Sequence, residues 1–189
     1  LDLITNVWSK KNTATSPPIR RHHTAVYCKN QMVVFAAGYD AVKYNDVWLL
    51  NLTTYTWTEA SINGAKPSAR YYHSSTCYNG QMLLFGVEDG TVALNEVWSL
   101  RFEGNYVWQQ ISTGGTKPSG RGDVSSVIYD DKLVVFAGGN NNILFVVENF
   151  VDEEKYKNLK LEQTKHLKIS KKMKKEQIIN KRKKKEEEI

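Results

Sequence analysis

The sequence predicts an all-β protein built from repeated four-stranded sheets, and three observations support this prediction. A unit of about 50 residues recurs along the chain. Short apolar runs lie between turn-forming dipeptides, which is typical of buried strands joined by tight turns. Tryptophan returns at two fixed places in the unit. The chain of 189 residues is 41% apolar and 24% charged, a globular composition. It has no run of about 18 apolar residues that would predict a transmembrane helix.

The repeat becomes visible when the chain is aligned with itself at an offset of 50 residues. The aligned pairs share their residue type: Arg20 with Arg70, His23 with His73, Gln31-Met32 with Gln81-Met82, Phe35 with Phe85, and Asn45–Trp48 with Asn95–Trp98. A further offset of 51 residues carries Arg70 to Arg121 and Phe85 to Phe136. Agreement across arginine, histidine and aromatic positions indicates a structural repeat.

Each unit is predicted to contain four strands. His22–Cys28 is the first, and the turn after it aligns with Asn79-Gly80, a favoured hairpin dipeptide. Met32–Phe35 is wholly apolar, which is typical of a strand covered on both faces. Val47–Leu50 follows a polar loop, and Tyr55–Thr58 alternates like a half-exposed edge strand. Such a sheet is apolar on both faces, so we expect neighbouring sheets to cover one another around an axis.

These residues resemble Kelch repeats, which build β-propellers with one four-stranded blade per unit. The shared features are an apolar strand ending in glycine, the Asn-Asp-Val-Trp segment, a later tryptophan, and a Gly-x-x-Pro-x-x-Arg link. The links are Gly64–Arg70 and Gly115–Arg121. The family's glycine doublet is intact only at Gly138-Gly139. Because Val87-Glu88 replaces it in the second unit, we expect another backbone solution there, with Gly86 one place early.

The resemblance divides the chain into a partial propeller at residues 1–150 and a Lys-rich tail at residues 151–189. The propeller part contains a fragment (1–19), two blades (20–69 and 70–120) and a partial blade (121–150). Leu1–Trp8 aligns with Leu50–Trp57 and there is no initiator methionine, so we expect upstream sequence. A ring needs at least four blades. Either the other blades lie outside this chain, or the tail replaces one in a truncated gene product.

Arginine is the first candidate for partner binding. Arg20, Arg70 and Arg121 recur before the first strand of successive units, where connecting loops open onto a propeller face. The resemblance implies contacts with an acidic peptide, since arginines in equivalent loops of some Kelch domains make them, and a guanidinium suits a carboxylate. The alternative is an internal role that ties each loop to the neighbouring blade, and the repetition favours it.

Aromatic and histidine side chains next to these arginines are the second candidate. Tyr71 follows Arg70 and is retained as a partner-binding residue, because aromatic groups beside arginine often form interface hot spots. His23 and His73 are expected to pack at blade junctions with their ring nitrogens hydrogen-bonded. The recurring tryptophans are expected to pack between blades.

The sequence predicts no catalytic residue, metal site or cofactor. The histidines lack partners at ligand spacing, and the constellation of a copper-containing, galactose-oxidase-like propeller cannot be traced. Cys28 aligns with Tyr78, and Cys77 aligns with Tyr27. The cysteines are therefore expected on opposite strand faces, without a shared ligand site or a disulfide. Two cysteines favour a reducing compartment, and hence the cytoplasm.

The charge of the chain is concentrated in its tail. Residues 1–151 contain equal numbers of basic and acidic residues, so the net charge of +6 comes from residues 152–189. The clusters Lys171–Lys175 and Lys181–Lys185 are compatible with a nuclear localisation signal, or with contact to nucleic acid or an anionic membrane surface. A solvated helical extension and translation of non-coding sequence are the alternatives, and we favour these two. The leading function is a non-enzymatic scaffold that binds a protein partner through its loops.

Overall fold

The computed structural model describes residues 1–88, 93–102, 104–137 and 144–147. The first sheet consists of β1 (Thr24–Cys28), β2 (Gln31–Tyr39), β3 (Val42–Asn51) and β4 (Thr56–Glu59). The second consists of β5 (Ser74–Tyr78), β6 (Gln81–Glu88), β7 (Ala93–Arg101) and β8 (Val107–Ile111). The third contains β9 (Val124–Tyr129), β10 (Lys132–Ala137) and β11 (Leu144–Val147). The tail and the predicted boundary at residue 150 lie outside these ranges.

Each sheet is an antiparallel meander in which neighbours along the chain are also neighbours in the sheet. The two apolar runs of the first unit pair as expected, with Val33 opposite Leu49 and Val34 opposite Trp48. The second sheet repeats this register, with Leu84 opposite Trp98. The described residues form no helix, and the predicted all-β fold of four-stranded blades is confirmed. None of the described segments is a helix that is long and apolar enough to span a membrane.

The apolar core lies between the sheets rather than within one of them. One cluster joins residues of the first and second sheets: Val33, Phe35, Val47, Leu49, Met82, Leu84, Leu100 and Trp108. A second cluster joins the second and third sheets: Leu83, Phe85, Val97, Val124, Leu133 and Val135. The first strands β1 and β5 contact each other, as do β5 and β9. Each sheet therefore depends on its neighbours for burial of its apolar faces.

The backbone of the second strand bends at the same place in two units. A β-bulge lies between Phe35 and Ala37, and another lies between Phe85 and Val87. Gly86 adopts a φ of 74° there, and the aligned Ala36 has a φ of 54°. Gly86 thus provides the alternative backbone conformation that was expected for the second unit, because glycine adopts positive φ without steric cost. The doublet Gly138-Gly139 lies outside the described residues.

The expectation that the cysteines cannot form a disulfide is wrong. Cys28 at the end of β1 is bonded to Cys77 of β5, and their Cα atoms lie 5.6 Å apart. Each sheet has two faces, and equivalent faces of the two sheets do not contact each other. The first sheet contacts the second through one face, and the second sheet contacts the first through the face that is opposite in the repeat. Residues on opposite faces of equivalent strands are therefore the ones that meet between neighbouring sheets. The inference of a reducing compartment loses this support, since stable disulfides are typical of oxidising compartments.

Candidate functional site

Arg20 is bound within its own sheet. Its Nη1 and Nη2 donate to Oδ1 and Oδ2 of Asp46 at 2.9 and 2.8 Å, and Nη1 also donates to the carbonyl oxygen of Ala36 at 3.1 Å. Burial raises the pKa of Asp46, but hydrogen bonds from Arg20 and Trp48 outweigh it and lower that pKa below its ordinary value. This fork-to-carboxylate geometry is the strong form of an ion pair.

Arg70 repeats this arrangement in the second sheet and is completely buried. Its Nη2 pairs with Oε1 of Glu96, its Nη1 donates to the carbonyl oxygen of Gly86 at 2.9 Å, and its Nε donates to that of Ser68 at 3.1 Å. Arg20 and Arg70 therefore make internal contacts. These ion pairs run within one sheet rather than to the neighbouring blade, because the acidic residue lies on the third strand of the same unit.

The Asn-Asp-Val-Trp segment also fixes the link that leaves each blade. Asn45 Nδ2 donates to the carbonyl oxygen of Pro67 at 3.2 Å, and Asn95 Nδ2 donates to that of Pro118 at 2.9 Å. The main-chain nitrogen of Ala37 donates to the carbonyl oxygen of Arg70 at 3.0 Å. These bonds hold the loops between successive blades at one end of the sheets.

Arg121 has the surroundings of Arg70, but no carboxylate is paired with it among the residues that the structure describes. Arg121 is 4% exposed, its Nε and Nη2 donate to Ser119, and its guanidinium lies 4.7 Å from the centre of the Phe145 ring. Its Nη1 has no hydrogen-bond partner within the described part of the chain. In the second sheet Phe85 pairs with Val97, and the residue before Val97 is Glu96. In the third sheet Phe136 pairs with Leu144, and the residue before Leu144 in the sequence is Ile143, which has no hydrogen-bonding side chain.

His73 lies at the junction of the first two sheets. Its Nε2 is 2.8 Å from Oγ1 of Thr24, and its ring stacks edge-on against Phe35 at 5.4 Å. Burial and the nearby Arg70 charge lower the pKa of His73 to about 3. The expected hydrogen bond is present at Nε2, and an interaction with the Phe35 main chain acts on the pKa in the opposite direction to burial. His23, expected at a junction, is exposed because the described residues place no sheet before the first.

Lowering the pH from 7 to 5 is expected to lower the free energy of unfolding by about 2 kcal/mol through His73. The unfolded chain binds a proton on His73 below about pH 6.5, whereas the folded chain binds it only near pH 3. The stability contributed by neutral His73 is therefore complete above pH 6.5 and is lost as the pH falls toward 3. Urea unfolding across this range measures the slope. His73→Gln should remove most of it and exposed His22→Gln should keep it; an unchanged slope in His73→Gln contradicts the assignment.

A partly exposed aromatic and cationic group lies at the loop end of the first two sheets. We call it the Tyr71 cluster, which consists of Arg21, His22, Tyr39, Lys43, Tyr71 and Tyr72. The Lys43 Nζ lies 5.7 Å from the centre of the Tyr71 ring, and the Arg21 guanidinium lies 5.5 Å from that of Tyr39. The rings of His22 and Tyr72 are 4.3 Å apart. The cluster joins the starts of β1 and β5 with the turn between β2 and β3.

Sequence reasoning selected Tyr71 but missed Tyr39 and Lys43. Tyr39 ends β2 and Lys43 lies near the start of β3, on either side of the turn, and neither repeats, since Asp89 and Ala93 occupy the aligned positions. A residue beside a turn that departs from the repeat would have been the signal, because packing does not require it. Among the described residues, no group of three or more histidine, cysteine, aspartate or glutamate side chains has the geometry to hold a metal ion.

Comparison with known proteins agrees with this architecture. The model of the KLHDC2/KLHL20/DRC7 Kelch-repeats domain matches residues 1–176. The chain is 31% identical over 161 residues to the dynein alpha chain of the flagellar outer arm of Chlamydomonas reinhardtii, covering 78% of this chain and 4% of that protein. It is 31% identical over 70 residues to acyl-CoA-binding domain-containing protein 5 of Arabidopsis thaliana, covering 36% of this chain and 11% of the relative.

The chain thus spans a small part of the length of these relatives. The family match covers most of the chain, and the first two sheets show the expected four-stranded meander and the repeated Arg–carboxylate pairs. The Kelch repeat is a fold for protein–protein interaction. The chain belongs to the Kelch-repeat family.

Proposed function

We propose that the chain is a non-enzymatic protein-binding segment and that the Tyr71 cluster contacts an acidic stretch of a partner protein. The observation that carries this proposal is the group of tyrosine, histidine, arginine and lysine side chains from two blades at one end of the sheets, in which Tyr71 and Tyr72 are half-buried and the other members are exposed. Tyrosine and arginine are the residue types most often found at the centre of binding interfaces. The cations of Arg21 and Lys43 favour a partner with carboxylates.

The three repeated arginines have internal parts in this proposal. Arg20 and Arg70 hold the loops that present the cluster, since their guanidiniums are bound to Asp46 and Glu96. Arg121 holds the loop before the third sheet through its hydrogen bonds to Ser119, and because it is 4% exposed it does not belong to the proposed contact surface.

The similarity to a flagellar outer-arm dynein chain supports a cytoplasmic or flagellar place of work. In that setting the chain would act as an interaction module attached to a much larger protein, because it matches only 4% of that relative. A tagged chain found only in secretory compartments would contradict this placement.

A peptide array tests the proposed surface. The full chain is expected to bind some peptides rich in aspartate and glutamate, but not their lysine-substituted counterparts. Tyr71→Ala should weaken binding about 30-fold, the effect of losing one hot-spot side chain. Arg21→Glu should weaken it further, because it reverses a charge at the surface.

Tyr55→Ala is the matched control. Tyr55 is exposed and, like Tyr71, has a lysine above its ring, Lys11, but it lies in the turn at the other end of the first sheet. This variant should bind like the unmodified chain. Acidic peptides that bind equally well to Tyr71→Ala and Arg21→Glu would refute the proposed surface, and so would the absence of any acidic ligand.

A further inference from the structure

The Cys28–Cys77 disulfide links the first two sheets at one end of their first strands. Cys28 is the last residue of β1, and Cys77 is the residue before the last of β5. At the other end of the same strands, Oγ1 of Thr24 lies 2.8 Å from Nε2 of His73. These two contacts are separated by about 13 Å of extended strand along β1. Together they hold β1 against β5 at both of its ends.

The Tyr71 cluster is assembled across this same junction, because Tyr71 and Tyr72 belong to the second unit and its other members belong to the first. The hydrogen bonds that join the two units there are long. The Tyr72 hydroxyl oxygen is 3.5 Å from Nε2 of His22, and the Tyr71 hydroxyl oxygen is 3.4 Å from the carbonyl oxygen of Val42. Hydrogen bonds of this length are weak. The relative position of the two halves therefore depends on how the sheets are joined elsewhere, and the disulfide is the covalent part of that junction.

The disulfide has a particular meaning in the proposed place of work. The cytoplasm is kept reducing by glutathione and thioredoxin, and disulfides that form there are typically transient and redox-sensing. Cys28 and Cys77 are 49 positions apart in the sequence, but β1 and β5 place their Cα atoms 5.6 Å apart. That separation is within the range that a disulfide requires. The folded chain thus holds the two sulfurs where the bond can open and close again.

We propose that Cys28 and Cys77 form a reversible redox switch that controls the Tyr71 cluster. The disulfide holds the two halves of the cluster in the arrangement that binds the acidic partner, and its reduction loosens the junction and weakens binding. This inference rests on the proposed function, because it concerns regulation of the same surface. A ligand that prefers one state of a switch shifts the switch toward that state by the same factor. The coupling can therefore be measured from either side.

Glutathione supplies the redox chemistry in both directions. On oxidation the Cys77 thiolate attacks a sulfur of glutathione disulfide, and one glutathione thiolate leaves. The Cys28 thiolate then attacks the Cys77 sulfur, which forms the S–S bond and releases the second glutathione thiolate. Two electrons pass from the cysteines to glutathione disulfide, and the two released thiolates take up the two protons that the cysteines lose. Cys77 reacts first because it is half-buried, whereas Cys28 is 1% exposed. Reduction by glutathione reverses these steps.

Peptide binding in the two redox states tests the switch. The tightest-binding aspartate- and glutamate-rich peptide of the array should bind the oxidised full chain about tenfold more tightly than the reduced chain, a typical coupling between linked sites. The Cys28→Ala/Cys77→Ala variant is the control, because it should bind like the reduced chain and should not respond to glutathione. Circular dichroism checks that the reduced chain stays folded.

The outcomes of this experiment separate the switch from the proposed function. Equal, measurable binding to the oxidised and reduced chain would overturn the switch and leave the proposed function standing. Binding of no acidic peptide to either state would overturn the proposed function, and the switch with it. Unfolding of the chain on reduction would overturn the switch as well, because both of its states must be folded.

A glutathione titration measures the same coupling from the other side. The oxidised fraction of the full chain is followed by thiol alkylation and mass spectrometry at graded ratios of glutathione to glutathione disulfide. A saturating concentration of the same peptide should raise the equilibrium constant for disulfide formation about tenfold. The shift should be smaller in Tyr71→Ala at that concentration, because this variant binds the peptide more weakly. A titration that the peptide does not shift, or cysteines that stay reduced in glutathione disulfide, would refute the switch.

Discussion

Replacement of Arg70 by alanine is expected to lower the free energy of unfolding by about 3–5 kcal/mol, the cost of removing one partner of a buried ion pair. Arg70 is fully buried and donates to Glu96, to Ser68 and to the carbonyl oxygen of Gly86. Alanine leaves these acceptors without their donor and creates a cavity where the guanidinium lay. Urea unfolding followed by tryptophan fluorescence measures the loss.

Two further variants separate the ion pair from simple loss of volume. Arg21→Ala removes an exposed arginine one blade earlier, and its free energy of unfolding should stay within about 0.5 kcal/mol of the unmodified chain. The Arg70→Met/Glu96→Gln pair replaces both charges, so it should lose less stability than Arg70→Met alone. A loss below about 1 kcal/mol in Arg70→Ala would show that the guanidinium is not buried in this pair.

Reduction of the Cys28–Cys77 disulfide is expected to lower the free energy of unfolding by about 4 kcal/mol. The bond joins residues that are 49 positions apart, so it removes considerable conformational freedom from the unfolded chain. It also links β1 to β5, the first strands of two neighbouring sheets. Urea unfolding of the same preparation with and without a reductant measures the difference.

The Cys28→Ala/Cys77→Ala variant is the control for this experiment. Alanine suits the apolar surroundings of Cys28, which is 1% exposed, and removes any response to the reductant. Its stability should be close to that of the reduced chain. Identical unfolding curves for the oxidised and reduced chain would argue against the cross-link.

The strands and their pairing were predictable from the sequence because of the repeat. Met32–Phe35 and Val47–Leu50 are short, apolar and separated by a polar loop, and each recurs one unit later. Since both faces of such a strand must be buried, the pattern indicates sheets that cover one another. The pairing of these runs in one sheet is confirmed.

The contact between Cys28 and Cys77 was not predictable by superposing the units. Superposition shows which faces are equivalent, and it places the two cysteines on opposite faces. Neighbouring sheets, however, contact each other through opposite faces. Two residues on opposite faces of the superposed units can therefore lie next to each other between the sheets. The arrangement of the sheets around an axis is needed to see that these two side chains meet.

The sequence gives two kinds of signal for residues of the candidate site: a residue departs from the repeat, or it follows the family pattern. Tyr71 was selected because it adjoins Arg70, but its neighbour Lys43 lies 28 positions earlier, near the start of β3. The internal carboxylate of each arginine was not assigned either, because Arg20 and Asp46 are separated by two complete strands. The pairing of strands brings such residues together, and sequence spacing does not reveal it.

Peptide mapping of the non-reduced chain tests most directly the central claim, that successive sheets lie side by side with their first strands in contact. After purification under oxidising conditions and proteolysis, mass spectrometry should find one cross-linked peptide pair containing Cys28 and Cys77. The two Cα atoms lie 5.6 Å apart, within the range that a disulfide requires. Recovery of both cysteines as free thiols after prolonged oxidation would contradict the contact between β1 and β5.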